Sequence, residues 1–266
     1  MIDLSQPKVM AILNFTPDSF YKSSRAKSDL HLLNKIEDIL MHGATFIDLG
    51  AYSSRPGASF VSIKDEGKRL FPALKMIYNE FPNALISVDT FRSSIAMEAI
   101  DMGVAIINDI SGGDLDQDMF SLVSRTNTPY IMMHMRGHPK NMQSLNTYNY
   151  LIQDIITELQ TKANRLIEMG HNDLIIDPGF GFSKNIEQNY ELLCGLKSLE
   201  ILDCPILVGI SRKSMVYKVL EIDANNSLNG STVLHTFSLL NGASILRVHD
   251  VKEAIEAIKI TNLLKK

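Results

Sequence analysis

Residues 174–184 read LIIDPGFGFSK, a short apolar run that ends in an acid and is followed at once by proline and two glycines. A run of this kind bounded by turn residues is typical of a buried strand with a tight loop after it. Glycines ahead of a lysine are compatible with a phosphate-binding loop, a plain strand-to-helix turn or the floor of a pocket for a flat ligand. The phosphate-binding loop fails on the spacing G-x-x-x-x-G-K-[ST]. We expect Lys184 to be a solvated surface charge.

The same order of an apolar run, a polar residue, a loop and a helical stretch recurs along the whole chain. It occurs eight times, in runs 9–14, 45–50, 85–90, 105–110, 130–135, 174–179, 206–213 and 245–250. The segments between the runs are amphipathic, with apolar residues recurring at three and four positions. Apolar strands that alternate with helices predict a parallel sheet, and eight units in about 250 residues favour a closed α/β barrel of the (β/α)₈ TIM type. We predict one domain over residues 1–266.

Composition narrows the class of protein. Hydrophobic residues make up 45% of the 266 residues and charged residues 21%, which is the balance of a globular enzyme. The net charge of −4 and the lack of a dense basic block argue against nucleic acid as a partner. No apolar stretch is long enough to span a bilayer, and the N-terminus does not resemble a secretion signal. We therefore expect a cytoplasmic protein with no membrane partner, whose two cysteines, Cys194 and Cys204, are reduced.

Polar side chains stand at or near the end of every predicted strand. In a (β/α)₈ barrel the carboxyl ends of all strands meet at one rim, where binding sites are built. Cationic groups at this rim favour an anionic ligand, phosphate or carboxylate. They are Arg55, Lys213, Arg247 and His249. The acids and amides there are compatible both with structural ion pairs and with recognition of a ligand edge rich in N–H donors, such as a 2-amino-pyrimidinone. They are Asp48, Asp89, Asn108, Asp109 and Asp177.

Several common site motifs are missing from the sequence. It contains no dinucleotide-binding G-x-G-x-x-G, no C-x-x-C and no G-x-S-x-G elbow, so dehydrogenase and hydrolase functions lack motif support. His134 and His138 have a spacing that could hold a metal on a helix. They follow a predicted strand and run into Pro139, which disfavours helical geometry, so we do not predict a zinc site.

Eight segments of the chain, taken in order, resemble the dihydropteroate synthase family. They are ILNFTPDSF, GAYSSRPG, SVDT, INDISGG, MHMRGHPKNMQ, DPGFGFSK, GISRKS and RVHDV. The resemblance extends from Val9 to the last helix. It implies a pterin-binding barrel and a transferase of folate biosynthesis. That enzyme joins p-aminobenzoate to 6-hydroxymethyl-7,8-dihydropterin pyrophosphate and releases pyrophosphate, with Mg²⁺ as cofactor and sulfonamides as mimics of p-aminobenzoate.

The resemblance also implies roles for individual residues. The pterin would be bound by Asp89, Asn108, Met133, Asp177, Lys213 and Arg247. The pyrophosphate would be held by Asn14, Arg55, Arg247 and His249, with Asn14 also a Mg²⁺ ligand. The p-aminobenzoate would contact Ser54, Arg55, Pro56, Phe182, Ser211 and Lys213. Catalysis would rest on Asp89, Lys213, Arg247 and His249, and Asp48 would help to order the first two loops. The family resemblance further implies a homodimer formed through helices of the later half of the barrel.

The second loop departs from the commonest family pattern, Gly-Gly-Glu-Ser-Thr-Arg-Pro-Gly. Here Ala51, Tyr52 and Ser54 replace Gly, Glu and Thr, while Arg55 and Pro56 are kept. We expect looser packing against p-aminobenzoate, with activity retained.

Three other functions compete with the synthase. A pterin-dependent methyltransferase on the same barrel needs no pyrophosphate site, which the segments SRKS and RVHD argue against. A Schiff-base aldolase using Lys213 would need a partner base that the sequence does not supply. A barrel that binds without catalysis would have lost Arg55, Lys213 or Arg247, and all three are present.

Overall fold

The structure, a computed structural model, describes residues 3–14, 25–52 and 61–264. Eight strands lie in these ranges: β1 Lys8–Asn14, β2 Phe46–Gly50, β3 Leu85–Asp89, β4 Ile106–Asp109, β5 Tyr130–Met133, β6 Leu174–Asp177, β7 Ile206–Val208 and β8 Ala243–Val248. The α-helices are α1 Arg25–Met41, α2 Ile63–Glu80, α3 Ser93–Asp101, α4 Met119–Thr126, α5 Leu151–Glu168, α6 Ile186–Cys194, α7 Ser214–Tyr217, α8 Leu228–Leu240 and α9 Val251–Leu264. Short 3₁₀ helices cover Met142–Ser144, Leu196–Leu202 and Ala224–Asn226.

The strands close into a barrel in chain order, with every neighbouring pair parallel and β8 paired to β1. Helices follow the strands and cover them. This confirms the predicted (β/α)₈ barrel, because each of the eight apolar runs in the sequence overlaps one strand of the sheet. The strands end at the polar residues that the sequence places after each apolar run, which brings those residues to one rim.

Alternation along the strands divides the barrel interior into layers. The lower interior holds one apolar side chain from each of seven strands. These residues are Met10, Phe46, Ile106, Ile131, Ile175, Leu207 and Ile245. Two positions further along, toward the carboxyl ends, the inward residue is polar in four of those seven strands. These residues are Asp48, Asn108, Asp177 and Arg247. The barrel is therefore filled with apolar side chains below and lined by charges above.

The larger hydrophobic core lies between the strands and the surrounding helices. Residues that alternate with the inward ones, such as Ile47, Leu49 and Val88, point outward and pack into this core. Helix α6 begins with a capping box in which the side chains of Asn185 and Gln188 each accept a hydrogen bond from the other's backbone N–H. This cap fixes the start of the helix that follows the β6 loop, which we define as residues 178–184.

Neither cysteine in the described residues is in a disulfide, as predicted. Among the helices of residues 3–14, 25–52 and 61–264, none has both the length and the apolar character needed to cross a bilayer.

Candidate active site

The residues that the sequence assigns to the site gather at the carboxyl rim of the barrel. The strand register places Asn14, Gly50, Asp89 and Asn108 side by side across β1 to β4, and Met133 beside Asp177 across β5 and β6. Arg247 lies in β8 and completes the ring. Three predicted site residues, Ser54, Arg55 and Pro56, lie outside the residues that the structure describes.

Arg247 links three strands through charged hydrogen bonds. Its Nε donates to Asp48 Oδ2 at 2.6 Å, and its Nη2 donates to Asp89 Oδ2 at 3.0 Å. Asn108 Nδ2 donates to the same Asp48 oxygen at 3.0 Å. The guanidinium fork is thus held by two carboxylates, in a geometry that a lysine ammonium could not reproduce.

Asp48 is fully buried beneath this ring. Its Oδ2 accepts two hydrogen bonds, and its Oδ1 has no hydrogen-bond partner among the residues that the structure describes. The sequence assigns Asp48 a role in ordering the first two loops. The contacts that the structure gives it are with Arg247 and Asn108, so it holds two side chains that are themselves candidates for pterin binding.

Asp89 is buried beside Arg247 and near Asp48. Burial raises the pKa of the Asp89 carboxyl, the charge of Arg247 opposes this rise, and the charge of Asp48 adds to it. Arg247 is therefore the group that favours the ionised form of Asp89 in this buried position. A ligand that brings N–H donors to this position would add to the same effect.

Asp177 and Lys213 add opposite charges to the rim, close enough for each to affect the pKa of the other. Burial raises the pKa of Asp177, while the charge of Lys213 and the backbone N–H of Gly179, which donates to Oδ1 at 2.7 Å, both lower it. Burial lowers the pKa of Lys213 to about 8, against the opposing effect of Asp177. The Lys213 ammonium also donates to the carbonyl of Phe180, so the lysine is tied to the β6 loop.

Apolar side chains lie beside the charged residues of the rim. Met133 belongs to a buried cluster with Ile110, Met135 and Met142, and Phe182 packs against this cluster from the β6 loop. The Lys213 ammonium lies 4.8 Å from the centroid of the Phe182 ring, within the range of a cation–π contact. The apolar side chains and the charges together suit a flat ligand that has polar edges and an apolar face.

Ser211 and His249 meet where β7 and β8 end. The Ser211 hydroxyl accepts from His249 N at 3.1 Å and lies 3.1 Å from His249 Nδ1. Because Ser211 is buried and His249 is exposed, the serine fixes the ring of a histidine that faces solvent. The sequence predicts that Ser211 contacts p-aminobenzoate, and the structure shows its link to His249.

Arg212 is a residue of the site that the sequence analysis missed. It adopts a left-handed conformation with φ of 56°, and its guanidinium donates to both oxygens of Asp250, at 2.9 and 2.6 Å. The two residues join the loops after β7 and β8, which carry Lys213 and His249. Positive φ at a non-glycine residue is uncommon. The signal available in the sequence was that SRKS contains an arginine and RVHD an aspartate, because these two motifs follow neighbouring strands.

Lys184 is not the surface charge that we expected, and that prediction is wrong. Its side chain is buried, and its Nζ lies within hydrogen-bond distance of His134 Nδ1, Gly179 O and Phe182 O. The chain direction explains the error. Ser183 has φ of 52°, and this left-handed residue turns the following lysine back under the β6 loop.

Asp109 lies one residue beyond Asn108 and points to the opposite face of β4. Its carboxylate accepts from Tyr130 Oη at 2.7 Å and from Ser111, so it belongs to the core outside the barrel.

In the second loop, the ring of Tyr52 stands edge-on to Phe91 at 5.1 Å. Tyr52, which replaces the glutamate of the commonest family pattern, therefore makes an aromatic contact at this position.

The sequence matches the family model of pterin binding enzymes over residues 10–249. It is 37% identical to the dihydropteroate synthase of Escherichia coli over 261 residues, which is 97% of this chain and 92% of that protein. A crystal structure of the Yersinia pestis dihydropteroate synthase with a sulfonamide drug is 38% identical. It superposes with a TM-score of 0.91 over 99% of this chain and 96% of that chain. A Clostridium difficile dihydropteroate synthase structure determined with pteroic acid is 32% identical, with a TM-score of 0.92 over 99% of both chains.

The ion pairs of Arg247 generate a prediction about stability. Arg247→Met should lower the free energy of unfolding by about 3 to 5 kcal/mol at about pH 8, because it leaves buried carboxylates without a counter-charge. The loss should shrink at about pH 5.5. Asp89 has a raised pKa in the folded state, so folding takes up a proton there and becomes more favourable as the pH falls. Urea unfolding at the two pH values measures both effects.

The matched control is Lys162→Met, which removes a cation whose partner, Asp114, is half exposed. This change should cost less than about 1 kcal/mol at either pH. An Arg247→Met deficit of the same size at both pH values would contradict the proposed dependence of the carboxylates on Arg247.

Proposed function

Since the chain belongs to the pterin-binding enzyme family, and within it to the dihydropteroate synthases, we propose that the barrel mouth is the site of their reaction. The protein is a transferase of folate biosynthesis. It condenses 6-hydroxymethyl-7,8-dihydropterin pyrophosphate with p-aminobenzoate, giving 7,8-dihydropteroate and pyrophosphate. The observation that carries the site assignment is the ring in which Arg247 bridges Asp48 and Asp89, with Asn108 bonded to the same Asp48 oxygen.

The pterin is proposed to lie against Asp89, Asn108 and Asp177. Its pyrimidinone edge is rich in N–H donors, which matches the carboxylate and amide oxygens at these positions. Asp177 accepts the N–H of Gly179 with Oδ1, and its second carboxylate oxygen is proposed to accept from the pterin. Lys213 is placed to donate to the pterin carbonyl. Met133 would supply an adaptable apolar wall, and the Arg247 guanidinium a stacking surface for the ring.

The pyrophosphate is proposed to bind Arg247 and His249, together with Asn14 and with Arg55, which lies outside the described residues. Support comes from the positions of Arg247 and His249 on one strand end, with the His249 ring braced by Ser211. Phosphate oxygens are matched by a guanidinium fork, and an exposed imidazole at the rim adds a further N–H donor.

The residues at the rim fit a Mg²⁺ ion that is bound chiefly through substrate oxygens. Asn14 offers an amide oxygen at the end of β1, and a Cβ at Gly50 would lie only 2.7 Å from that oxygen, so glycine leaves room for the amide. No cluster of three His, Cys, Asp or Glu suited to a metal occurs in the described residues. Mg²⁺ commonly takes few protein ligands beside phosphates and water, so Asn14 is proposed as one ligand. When bound, the ion would neutralise charge on the pyrophosphate.

The chemistry is a substitution at the methylene carbon that joins the pterin to pyrophosphate. We propose that the C–O bond breaks first, that the amine nitrogen of p-aminobenzoate then bonds to this carbon, and that the amine loses a proton. An aromatic amine is neutral near pH 7, so the demanding step is departure of the pyrophosphate. Arg247, Lys213 and His249 would stabilise its developing charge, and the carboxylate of Asp89 would stabilise the pterin cation.

The p-aminobenzoate is proposed to stack on Phe182 and to contact Ser211 and Lys213, along with Ser54, Arg55 and Pro56. The half-buried ring of Phe182 presents an aromatic face beside the Lys213 ammonium, which suits an aromatic carboxylate. The Yersinia pestis relative was solved with a sulfonamide drug, and sulfonamides mimic p-aminobenzoate.

A homodimer through α8 and α9 is also proposed. These two helices pack together, and α8 exposes Val233, Phe237 and Leu240 at helical spacing while α9 exposes Ile260 and Leu263. An apolar stripe of this kind on a soluble enzyme marks a protein–protein contact. Light scattering of the purified protein measures its mass and so tests whether it is a dimer.

A cytoplasmic location is proposed as well, supported by the two free cysteines.

The reaction assay is the direct test of the proposed function. Purified protein should release pyrophosphate only when the pterin pyrophosphate, p-aminobenzoate and Mg²⁺ are all present, because the amine must trap the pterin cation. A coupled pyrophosphate assay with each component omitted in turn measures this. Absence of turnover in the complete mixture would overturn the function. Release at the same rate with and without p-aminobenzoate would overturn the condensation.

Asp177→Asn should weaken pterin binding by roughly 10- to 100-fold, because the amide keeps the bond from Gly179 but loses the charge that accepts from the ligand. Calorimetric titration with the pterin measures the affinity. Asp101→Asn, at an exposed position near the end of α3, is the matched control and should bind the pterin like the unmodified protein. Unchanged affinity in Asp177→Asn would show that Asp177 does not face the pterin.

A further inference from the structure

Lys184 is buried at the end of the β6 loop, where its ammonium bonds to carbonyls of that loop. It is 3% exposed, whereas lysines are almost never fully buried without a partner. None of the roles proposed above uses it. We propose that Lys184 is a positioning residue for p-aminobenzoate, which acts by holding the backbone of the β6 loop so that Phe182 faces the ligand. This inference rests on the proposed role of Phe182.

The three donors of the Lys184 ammonium match three acceptors. Nζ lies 3.1 Å from Gly179 O, 2.9 Å from Phe182 O and 3.0 Å from His134 Nδ1. Two of these acceptors are carbonyls of the loop itself, one at its start and one at Phe182. A charged donor shared between two carbonyls fixes the planes of both peptides, and therefore the direction in which the Phe182 side chain leaves the backbone.

His134 is held in turn from the other side. Its Nε2 lies 3.0 Å from Glu158 Oε2, and Glu158 Oε1 accepts from the Arg136 guanidinium. Since Nε2 donates to the carboxylate, Nδ1 is the acceptor that meets Lys184. Burial lowers the pKa of His134 to about 4, which keeps the ring neutral and its Nδ1 able to accept. The chain from Glu158 through His134 to Lys184 thus supports the β6 loop from helix α5.

The loop needs such support because of its backbone. Gly179, Gly181 and Ser183 all have positive φ, at 73°, 81° and 52°, within five residues. A segment with three left-handed residues is not held by regular secondary structure and relies on specific bonds. Ser183 is buried, and its hydroxyl is within 2.9 Å of both the backbone N and O of Arg136.

Two lysines therefore hold the loop from opposite sides. Lys213 donates a hydrogen bond to the carbonyl of Phe180 from the side proposed for the ligand. Lys184 donates to the carbonyls of Gly179 and Phe182 from beneath the loop. Burial lowers the pKa of Lys184 to about 7, and the carboxylate of Asp177 opposes that shift. An apolar side chain of the same length would avoid this desolvation, so the ammonium is explained by the bonds that it makes.

The test compares substrate dependence in Lys184→Met, which keeps the length of the side chain and removes its donors. The KM for p-aminobenzoate should rise roughly tenfold, while the affinity for the pterin stays within about twofold. Phe182→Ala should raise the same KM. In the Phe182→Ala background, Lys184→Met should have little further effect, because the lysine acts through the phenylalanine. Lys162→Met, which also loses a bond to a backbone carbonyl, is the control and should leave both values unchanged.

The outcomes separate this inference from the proposed function. A raised KM in Phe182→Ala with an unchanged KM in Lys184→Met overturns the positioning role and leaves the function intact. Additive effects of the two changes overturn it as well, as does a parallel loss of affinity for both substrates with a lower melting temperature. If Lys184→Met does not fold, Lys184→Gln is measured in the same way. Its amide supplies two donors on a shorter side chain, and the inference predicts an intermediate KM.

Discussion

The charged mouth of the barrel depends on one interaction, the bridge from Arg247 to Asp48 and Asp89. Strand β8 closes the barrel against β1, and Arg247 reaches from it to the acids of β2 and β3. Burying two carboxylates so close together would favour protonation of one of them. The guanidinium opposes that protonation and also fixes Asn108 indirectly, through the shared oxygen of Asp48. The pocket proposed for the pterin is therefore organised by ion pairs and hydrogen bonds among the protein's own side chains.

Much of this arrangement follows from the period of a strand. Apolar runs that end in polar residues predicted the eight strands, and inward alternation then separates Asn108 from Asp109. From the sequence both residues are expected at the rim, because the end of a strand alone does not reveal which face of the sheet a side chain occupies. Asn108 lies in the ring, whereas Asp109 is bonded to Tyr130 outside the barrel. The hydrogen bonds of Asp48 with Arg247 and Asn108 could not be predicted from the sequence either, since they join strands that are far apart in the chain.

Lys184 shows where sequence reasoning fails for a physical reason. A lysine in a loop is usually solvated, and nothing in the letters GFGFSK indicates that Ser183 would take a left-handed conformation. That single backbone turn decides whether the ammonium faces water or the carbonyls of its own loop. The roles of the second loop stay predictions, because Ser54, Arg55 and Pro56 lie outside the described residues. The dependence on Mg²⁺ also stays a prediction.

The most direct test of the central claim is a double-mutant cycle on pterin binding. Asp48→Asn keeps the shape of the side chain and removes its charge, and Arg247→Met removes the guanidinium. If Asp48 acts by holding Arg247, Asp48→Asn alone should weaken pterin binding, and should cost little more once Arg247 is already replaced. Calorimetric affinities of the four proteins give the coupling. Losses that simply add would contradict the account, since they would mean that the two residues contribute to the pocket independently.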